Sequence, residues 1–169
     1  MIDIEYVRVL KTPAGYVWGE MTVRGRTFAA AENRSVSGYS SVPGDPKPYQ
    51  LKMLTTANMQ GTRTFRALQF VEVPGLKKEY PRPFLIHPAF VSNPSYLAGC
   101  IAPGLGVVGR DSRLLLDSDG AMRQLLELLG PWEEGKDTFY IHICNNAPGD
   151  DHVSREGFIR QRAEHLKGR

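Results

Sequence analysis

The sequence predicts an α+β protein dominated by β-structure, in which antiparallel or mixed sheets form a sandwich or a partly open barrel. Its 169 residues include 17 Gly and 12 Pro, an excess typical of short strands joined by turns. Several segments alternate apolar and polar residues with the period of a strand. Helical spacing is found in two segments, 118–129 and 154–167, so helices are expected to be few.

Length and composition predict a single domain over residues 1–150, followed by a short basic helical appendage at 151–169. A chain of this size, with 41% hydrophobic and 23% charged residues, can bury a core without metal or disulfide support. No basic leader precedes an apolar run, and no window approaches about 18 apolar residues. We therefore expect neither a signal peptide nor a membrane span, and reduced thiols at Cys100 and Cys144.

The first thirty residues predict a meander of antiparallel strands. Residues 2–10 alternate with a phase slip at Tyr6-Val7, which is typical of an edge strand with a bulge. Residues 16–23 and 27–32 continue as strands, and Arg24-Gly25 between them suits a tight reversal.

The next part of the chain predicts a loop and a hairpin. Residues 33–48 are rich in Ser, Gly and Pro, which indicates a structured connection or a lid. Residues 49–54 and 62–73 are strand candidates. The segment Asn58-Met-Gln-Gly61 joins them, and its Gly suits a positive φ.

The clearest helix is predicted at 118–129, with Asp117 or Ser118 as its cap and Gly130-Pro131 as its end. A strand is expected before it at 113–116, and a final strand after it at 138–144. The helix presents one apolar face, which should pack on the sheet. That face consists of Met122, Leu125, Leu126 and Leu129.

The predicted C-terminal helix, capped by Ser154, has a narrow apolar stripe among five cations. Such a helix can dock onto a neighbour, or meet a membrane surface or nucleic acid, but cations without interleaved aromatics usually form a solvated face. We therefore expect no nucleic-acid partner. The stripe is Phe158, Ile159, Ala163 and Leu166, and the cations are Arg155, Arg160, Arg162, Lys167 and Arg169.

Two further patterns carry no cofactor or metal prediction. Gly104-Leu-Gly-Val-Val-Gly109 fits the spacing of a dinucleotide-binding loop, but the proline before it and the Arg110-Asp-Ser-Arg113 segment after it do not supply the required strand and helix. His142, His152 and Asp150-Asp151 match no known zinc spacing, so we interpret them as strand and loop residues.

The stretch from Phe84 to Ile101 is where a nucleophile and a base lie close in sequence. Phe84-Leu-Ile86 predicts a buried central strand that positions His87 at its end. A cysteine thiol needs such a base because few thiols are ionised at neutral pH. Gly99 before Cys100 allows close backbone approach and amides that point at an oxyanion. The pattern is coherent for attack on an amide carbonyl.

Ile86-His87-Pro88 followed by Gly99-Cys100-Ile101 resembles the L,D-transpeptidase catalytic domain, whose motif places a histidine upstream of Ser-His-Gly-Cys-Ile-Arg. It is also similar to small domains of phages and prophages with Ile-His-Pro, then Gly-Cys-Ile, then a strand and a helix. Leu116-Asp-Ser118 and the Leu-rich helix match that order. The resemblance covers about residues 16–130. The motif's Ser-His is Leu97-Ala98 here, and its arginine is Ala102.

The resemblance implies that Cys100 is the nucleophile, that His87 is its base, and that the amides of Gly99 and Cys100 stabilise the oxyanion. It implies a peptidoglycan stem peptide as substrate and a β-rich fold of L,D-transpeptidase type. Arg110 or Arg113 could replace the missing cation.

Asn93 and Ser95 are further candidates for substrate binding. No cofactor is expected. A protein of phage type would be virion-associated, or would reach the cell wall by a route other than a cleaved leader.

The alternative is a non-enzymatic tail or virion domain that has kept the scaffold and contacts other virion proteins. In it, Cys100 is a small buried residue, and His87 is held in a structural hydrogen bond.

Overall fold

The computed structural model describes residues 2–12, 16–33, 42–58, 60–73, 84–89, 97, 100–108 and 114–145. These ranges contain ten strands and one helix, in agreement with the predicted β-dominated α+β class. The elements are β1 (Ile4–Lys11), β2 (Tyr16–Val23), β3 (Arg26–Asn33), β4 (Asp45–Ala57), β5 (Thr64–Phe70), β6 (Leu85–Ile86), β7 (Ala102–Gly104), β8 (Gly106–Val108), β9 (Leu114–Leu116), α1 (Ser118–Leu129) and β10 (Thr138–Asn145).

Eight strands form one sheet in the order β6-β5-β4-β10-β1-β2-β3-β7. Neighbours are antiparallel except β1 and β10, which pair in parallel. The two edges meet, because Ile86 of β6 forms a parallel bridge with Ile101, the residue before β7. The sheet is therefore a nearly closed barrel, and β8 and β9 form a separate two-stranded ribbon.

The first strand is not at an edge, which corrects the prediction for residues 2–10. β1 lies between β10 and β2, and its register shifts between Arg8 and Leu10 rather than at Tyr6-Val7. The alternation in fact continues inward through Ile4, Tyr6 and Arg8, all 0% exposed. The polarity pattern indicated the wrong phase because a charged residue, Arg8, lies at an inward position.

The predicted hairpins are confirmed. Arg24 and Gly25 reverse the chain between β2 and β3 with φ of 45° and 87°, the left-handed values expected of such a turn. Gly61 has φ 67° in the connection between β4 and β5.

β4 is longer than predicted, since it begins at Asp45 and includes the prolines at 46 and 48. That part of β4 pairs with β10, whereas pairing with β5 begins at Leu51, so these prolines need donate no hydrogen bond on the β5 side.

The barrel interior and one face of α1 share a single apolar core. Inward residues of β1, β2, β4, β5 and β10 meet Ala121, Met122, Leu125, Leu126 and Leu129 of the helix. The helix has the predicted bounds, with Asp117 as its cap, and the chain turns away at Gly130. The side-chain oxygen of Asp117 accepts a hydrogen bond of 2.9 Å from Gly120 N. The predicted packing of this helix is confirmed.

The barrel interior also contains a buried ion pair. Arg8 and Glu32 are 0% exposed and form a two-point contact, with Arg8 Nε to Glu32 Oε2 and Arg8 Nη2 to Glu32 Oε1 both at 2.7 Å. The Tyr6 hydroxyl donates to Glu32 Oε2 at 2.6 Å, and Arg8 also donates to the Val42 carbonyl. These bonds compensate for removing two charges from water.

A second, smaller cluster lies on the outer face of the β2-β3-β7 part of the sheet. We call it the outer cluster, and it contains Trp18, Ala31, Ala89, Leu97, Ala102 and Leu115. Ala89 belongs to the segment after β6, Ala102 to β7 and Leu115 to β9. The cluster therefore packs together the segments on either side of the barrel closure.

Several predicted features lie outside the described residues: the helix at 154–167, residues 34–41 of the Ser- and Pro-rich segment, and the loop after Asn145. Within the described ranges, no helix has the length and apolar character needed to cross a membrane.

Candidate functional site

The predicted base, His87, follows the short strand β6 at the barrel closure. β6 pairs with β5 through Leu68 and Ile86, and the His87 amide donates to the Ile101 carbonyl at 3.1 Å. The Ile101 amide donates to the Leu85 carbonyl at 2.9 Å. We call residues 85–87 and 100–102 the closure seam. Its backbone bonds place the His87 segment beside the segment that contains Cys100.

The side chains of the closure seam point to two different faces, the core side chains inward and the candidate catalytic pair outward. Ile86 and Ile101 are 0% exposed and belong to the barrel core. Side chains alternate between the two faces of extended backbone, so the neighbours of these isoleucines face outward. Ala102 in the outer cluster agrees with this alternation. His87 and Cys100 are thus assigned to the same outer face, and Cys100 is partly exposed and not in a disulfide.

The environment of His87 fixes its tautomer. The side chain is 8% exposed, and Nδ1 lies 2.8 Å from the Pro88 carbonyl oxygen. A carbonyl can only accept, so Nδ1 carries the hydrogen and the lone pair is on Nε2. The ring centroid is 5.6 Å from that of Phe65. Burial lowers the pKa of His87, and the bond to Pro88 opposes this effect. The imidazole is therefore neutral at pH 7 and able to accept a proton.

Ser118 joins the two sides of the site, a role that the sequence did not predict. Its hydroxyl accepts a hydrogen bond of 2.7 Å from the Ala89 amide and donates to the Pro103 carbonyl. Ala89 is two residues after His87, and Pro103 is three residues after Cys100. Ser118 is 7% exposed and opens α1. A serine at a helix start ordinarily indicates a cap, so no sequence signal distinguished this contact.

A groove of about 540 Å³ lies next to His87, between β5 and α1. Phe65 and Pro88, which contact the His87 ring or accept from it, are part of its wall. The remaining lining includes charged residues and an indole, for which the sequence pattern indicated no site. They are Arg63, Arg66, Asp119, Arg123, Glu127 and Trp132.

Packing explains two of the positions at which this chain differs from the motif that it resembles. Leu97, at the position of the motif's serine, is 1% exposed in the outer cluster. Ala102, at the position of the arginine, is 0% exposed and pairs with Ala31 of β3. A long cationic side chain at 102 would have to displace this cluster.

The other predicted site residues, Gly99, Asn93, Ser95, Arg110 and Arg113, lie outside the described residues, as does Ala98. Their roles remain predictions.

The remaining candidate ligands and thiol belong to β10 or to the chain after it. His142 and Cys144 are both 1% exposed on the strand face opposite Phe139, Ile141 and Ile143. In the part of the chain that the structure describes, no three His, Cys, Asp or Glu side chains form a group that could hold a metal ion. His152 and Asp150-Asp151 fall outside that part.

Comparison with known proteins gives no match: no family model, curated protein or solved structure is significantly similar to the chain.

Proposed function

We propose that the chain catalyses cysteine-dependent acyl transfer or hydrolysis on peptidoglycan stem peptides, with Cys100 as nucleophile and His87 as base. The observation that carries the proposal is the closure seam, whose backbone bonds place the His87 segment beside the Cys100 segment. A neutral imidazole and a partly exposed thiol on one face have the properties of a base and nucleophile pair.

In the proposed reaction, His87 Nε2 takes the proton of the Cys100 thiol as sulfur attacks the amide carbonyl. The carbonyl oxygen becomes an oxyanion, and the backbone amides of Gly99 and Cys100 are the expected donors to it. Collapse of this tetrahedral intermediate breaks the C–N bond. The imidazolium returns its proton to the leaving amine, and the acyl group remains on sulfur as a thioester.

The thioester is resolved by water in hydrolysis or by the amine of a second stem peptide in transpeptidation. In either case the neutral imidazole takes a proton from the attacking group and returns it to the departing thiolate. For a chain of phage or prophage type, hydrolysis serves the opening of a cell wall. Such a chain acts from a virion or is delivered to the cell wall.

Thiol reactivity tests the proposed pair. Cys144 is buried, so Cys144→Ala isolates Cys100 for alkylation by iodoacetamide as a function of pH. We expect Cys100 to be alkylated at pH 7 faster than a free thiol, and more slowly in His87→Asn, because the neutral imidazole accepts the thiol proton. Unfolding in urea provides the control that both variants are folded. A Cys100 rate equal to that of a free thiol and unchanged by His87→Asn contradicts the pair.

Digestion of purified muropeptides tests the substrate, with Cys100→Ala as the matched control. Loss of a terminal residue or formation of a crosslink, seen by mass spectrometry with the parent chain alone, supports the proposal. Identical spectra for the two proteins contradict it.

The second candidate is a non-enzymatic virion or tail domain. The burial of His87 and its bond to Pro88 favour it, because both also suit a structural histidine. For this candidate, we expect the chain to associate with virion proteins even after Cys100→Ala. We also expect the Cys100 thiol to be inert.

A further inference from the structure

The groove between β5 and α1 has an unbalanced set of arginines. Arg63 forms an ion pair with Asp119, so its charge is matched. Among the described residues, no carboxylate oxygen lies within 4.0 Å of a side-chain nitrogen of Arg66 or Arg123. Glu127 also lines the groove, which leaves the lining with three cations and two anions. The groove therefore favours an anionic ligand.

Arg66 is held in place for such a ligand. Its guanidinium carbon lies 4.8 Å from the centroid of the Trp132 ring, and the Trp132 indole N–H donates to the Leu126 carbonyl at 3.3 Å. Stacking on an anchored indole restricts the guanidinium without using its N–H donors. A planar guanidinium presented in this way suits the two oxygens of a carboxylate.

The groove also has an apolar part, and it lies beside the residues that contact His87. Phe65, Met122 and Leu126 provide contact area for aliphatic groups, and Phe65 and Pro88 extend the wall to His87. Its volume of about 540 Å³ is in the range of ordinary small-ligand sites. His87 is not itself part of the lining, so a ligand in the groove would lie against Phe65 and Pro88, which contact the His87 ring or accept from it.

We infer that this groove binds a peptide through a free carboxylate, which Arg66 and Arg123 contact while the scissile amide lies at Cys100. The inference rests on the proposed function for the position of the amide and adds a binding determinant to it. Arg66 and Arg123 act as substrate-binding residues, and the selectivity they confer is for acidic over amidated peptides.

Binding to Cys100→Ala tests the inference without turnover. The probes are a stem tetrapeptide with a free glutamyl α-carboxylate and the same peptide with that group as a carboxamide. The chain has two tryptophans, Trp18 and Trp132, so two indole N–H signals are expected in a ¹H–¹⁵N spectrum, and Trp132→Phe assigns them. We expect the free acid to shift the Trp132 signal and to bind about tenfold more tightly than the amide.

Arg66→Gln and Arg123→Gln, made in Cys100→Ala, should each reduce that preference. Arg26→Gln is a matched control, because Arg26 also stacks on a ring, that of Phe28 at 5.3 Å, but does not line the groove. The backbone amide spectrum shows whether each variant is folded. Equal binding of the two peptides, or an equal loss in Arg26→Gln, overturns the inference.

Cleavage by the parent chain separates this inference from the proposed function. Equal cleavage of both peptides would support the function and overturn the inference. Selective binding of the acid without any cleavage would support the groove and contradict the function.

Discussion

The Ala89 amide donates a hydrogen bond of 2.7 Å to the Ser118 hydroxyl, which in turn donates to the Pro103 carbonyl. One side chain at the start of α1 thereby connects the segment after His87 with the strand after Cys100. The closure seam joins the same segments through their backbones. The candidate site is thus fixed by two independent sets of bonds.

Ser118→Ala should loosen the site. It leaves a buried amide and a buried carbonyl without this partner, which we expect to lower the free energy of unfolding by about 2 to 3 kcal/mol. Under the proposed function it should also slow Cys100 alkylation at temperatures where the variant is folded. Urea unfolding and iodoacetamide kinetics measure the two effects.

Asp117→Gly is the control for Ser118→Ala. It removes the helix cap but keeps the Ser118 bonds, and Gly tolerates the φ of 42° at this position. A similar loss of alkylation rate in Asp117→Gly would show that helix stability, rather than the Ser118 connection, controls the thiol.

His87 should make the protein sensitive to acid. Burial lowers its folded-state pKa below the ordinary 6.5, so the unfolded chain binds a proton first as the pH falls. The stability that depends on neutral His87 is full above pH 6.5 and is lost as the pH falls through the lowered folded-state pKa. His87→Asn keeps an N–H that can reach the Pro88 carbonyl but does not titrate. Urea unfolding at pH 7.5 and 5.5 should show a smaller acid loss in this variant; an equal loss contradicts the assignment.

The sequence was informative wherever local chemistry decides the structure. The bounds of α1 follow from Asp117, an apolar spacing and Gly130, and the β2–β3 turn follows from Arg24-Gly25. His87 was predicted at the end of a buried central strand because Phe84-Leu-Ile86 is apolar without interruption. Phe84 and Ile86 are buried, but the strand, β6, is at an edge of the sheet rather than at its centre. In each of these cases, residues close together in the sequence decide the local structure.

What the sequence did not predict depends on pairing across the barrel. Arg8 appears as a polar break in β1, and its interior position becomes clear only beside Glu32, 24 residues later. The same holds for Arg66 and Trp132, which are far apart in sequence but stacked in the groove. The closure seam likewise requires knowing that β6 and β7 are the two sheet edges.

Removing one partner of the buried Arg8 and Glu32 pair should destabilise the protein, because the other partner keeps its charge. Arg8→Met leaves a carboxylate inside the barrel, and we expect a loss of about 3 to 5 kcal/mol in the free energy of unfolding. Arg8→Met with Glu32→Gln should recover part of this loss, because Gln is neutral and still accepts from Tyr6.

The exposed Lys136 and Glu133 pair is the contrast to the buried one, and Lys136→Met should cost less than about 1 kcal/mol. Urea unfolding measures all of these variants. A double variant less stable than Arg8→Met would contradict the explanation by an uncompensated charge.

Tyr49 should make the protein sensitive to alkali. The phenol is 6% exposed and donates to the Pro43 carbonyl at 2.8 Å, and burial, aided by Asp45 and opposed by Arg8, raises the pKa of Tyr49 from 10.0 to about 12. The unfolded chain therefore loses this proton first, so stability falls as the pH rises from 10 to 12, by about 1 kcal/mol at pH 11. Tyr49→Phe should be less stable than the parent at pH 8, through the lost hydrogen bond, but should show a smaller alkaline decline. Unfolding at pH 8 and pH 11 measures both effects, and a decline equal to the parent's would show that Tyr49 does not titrate as described.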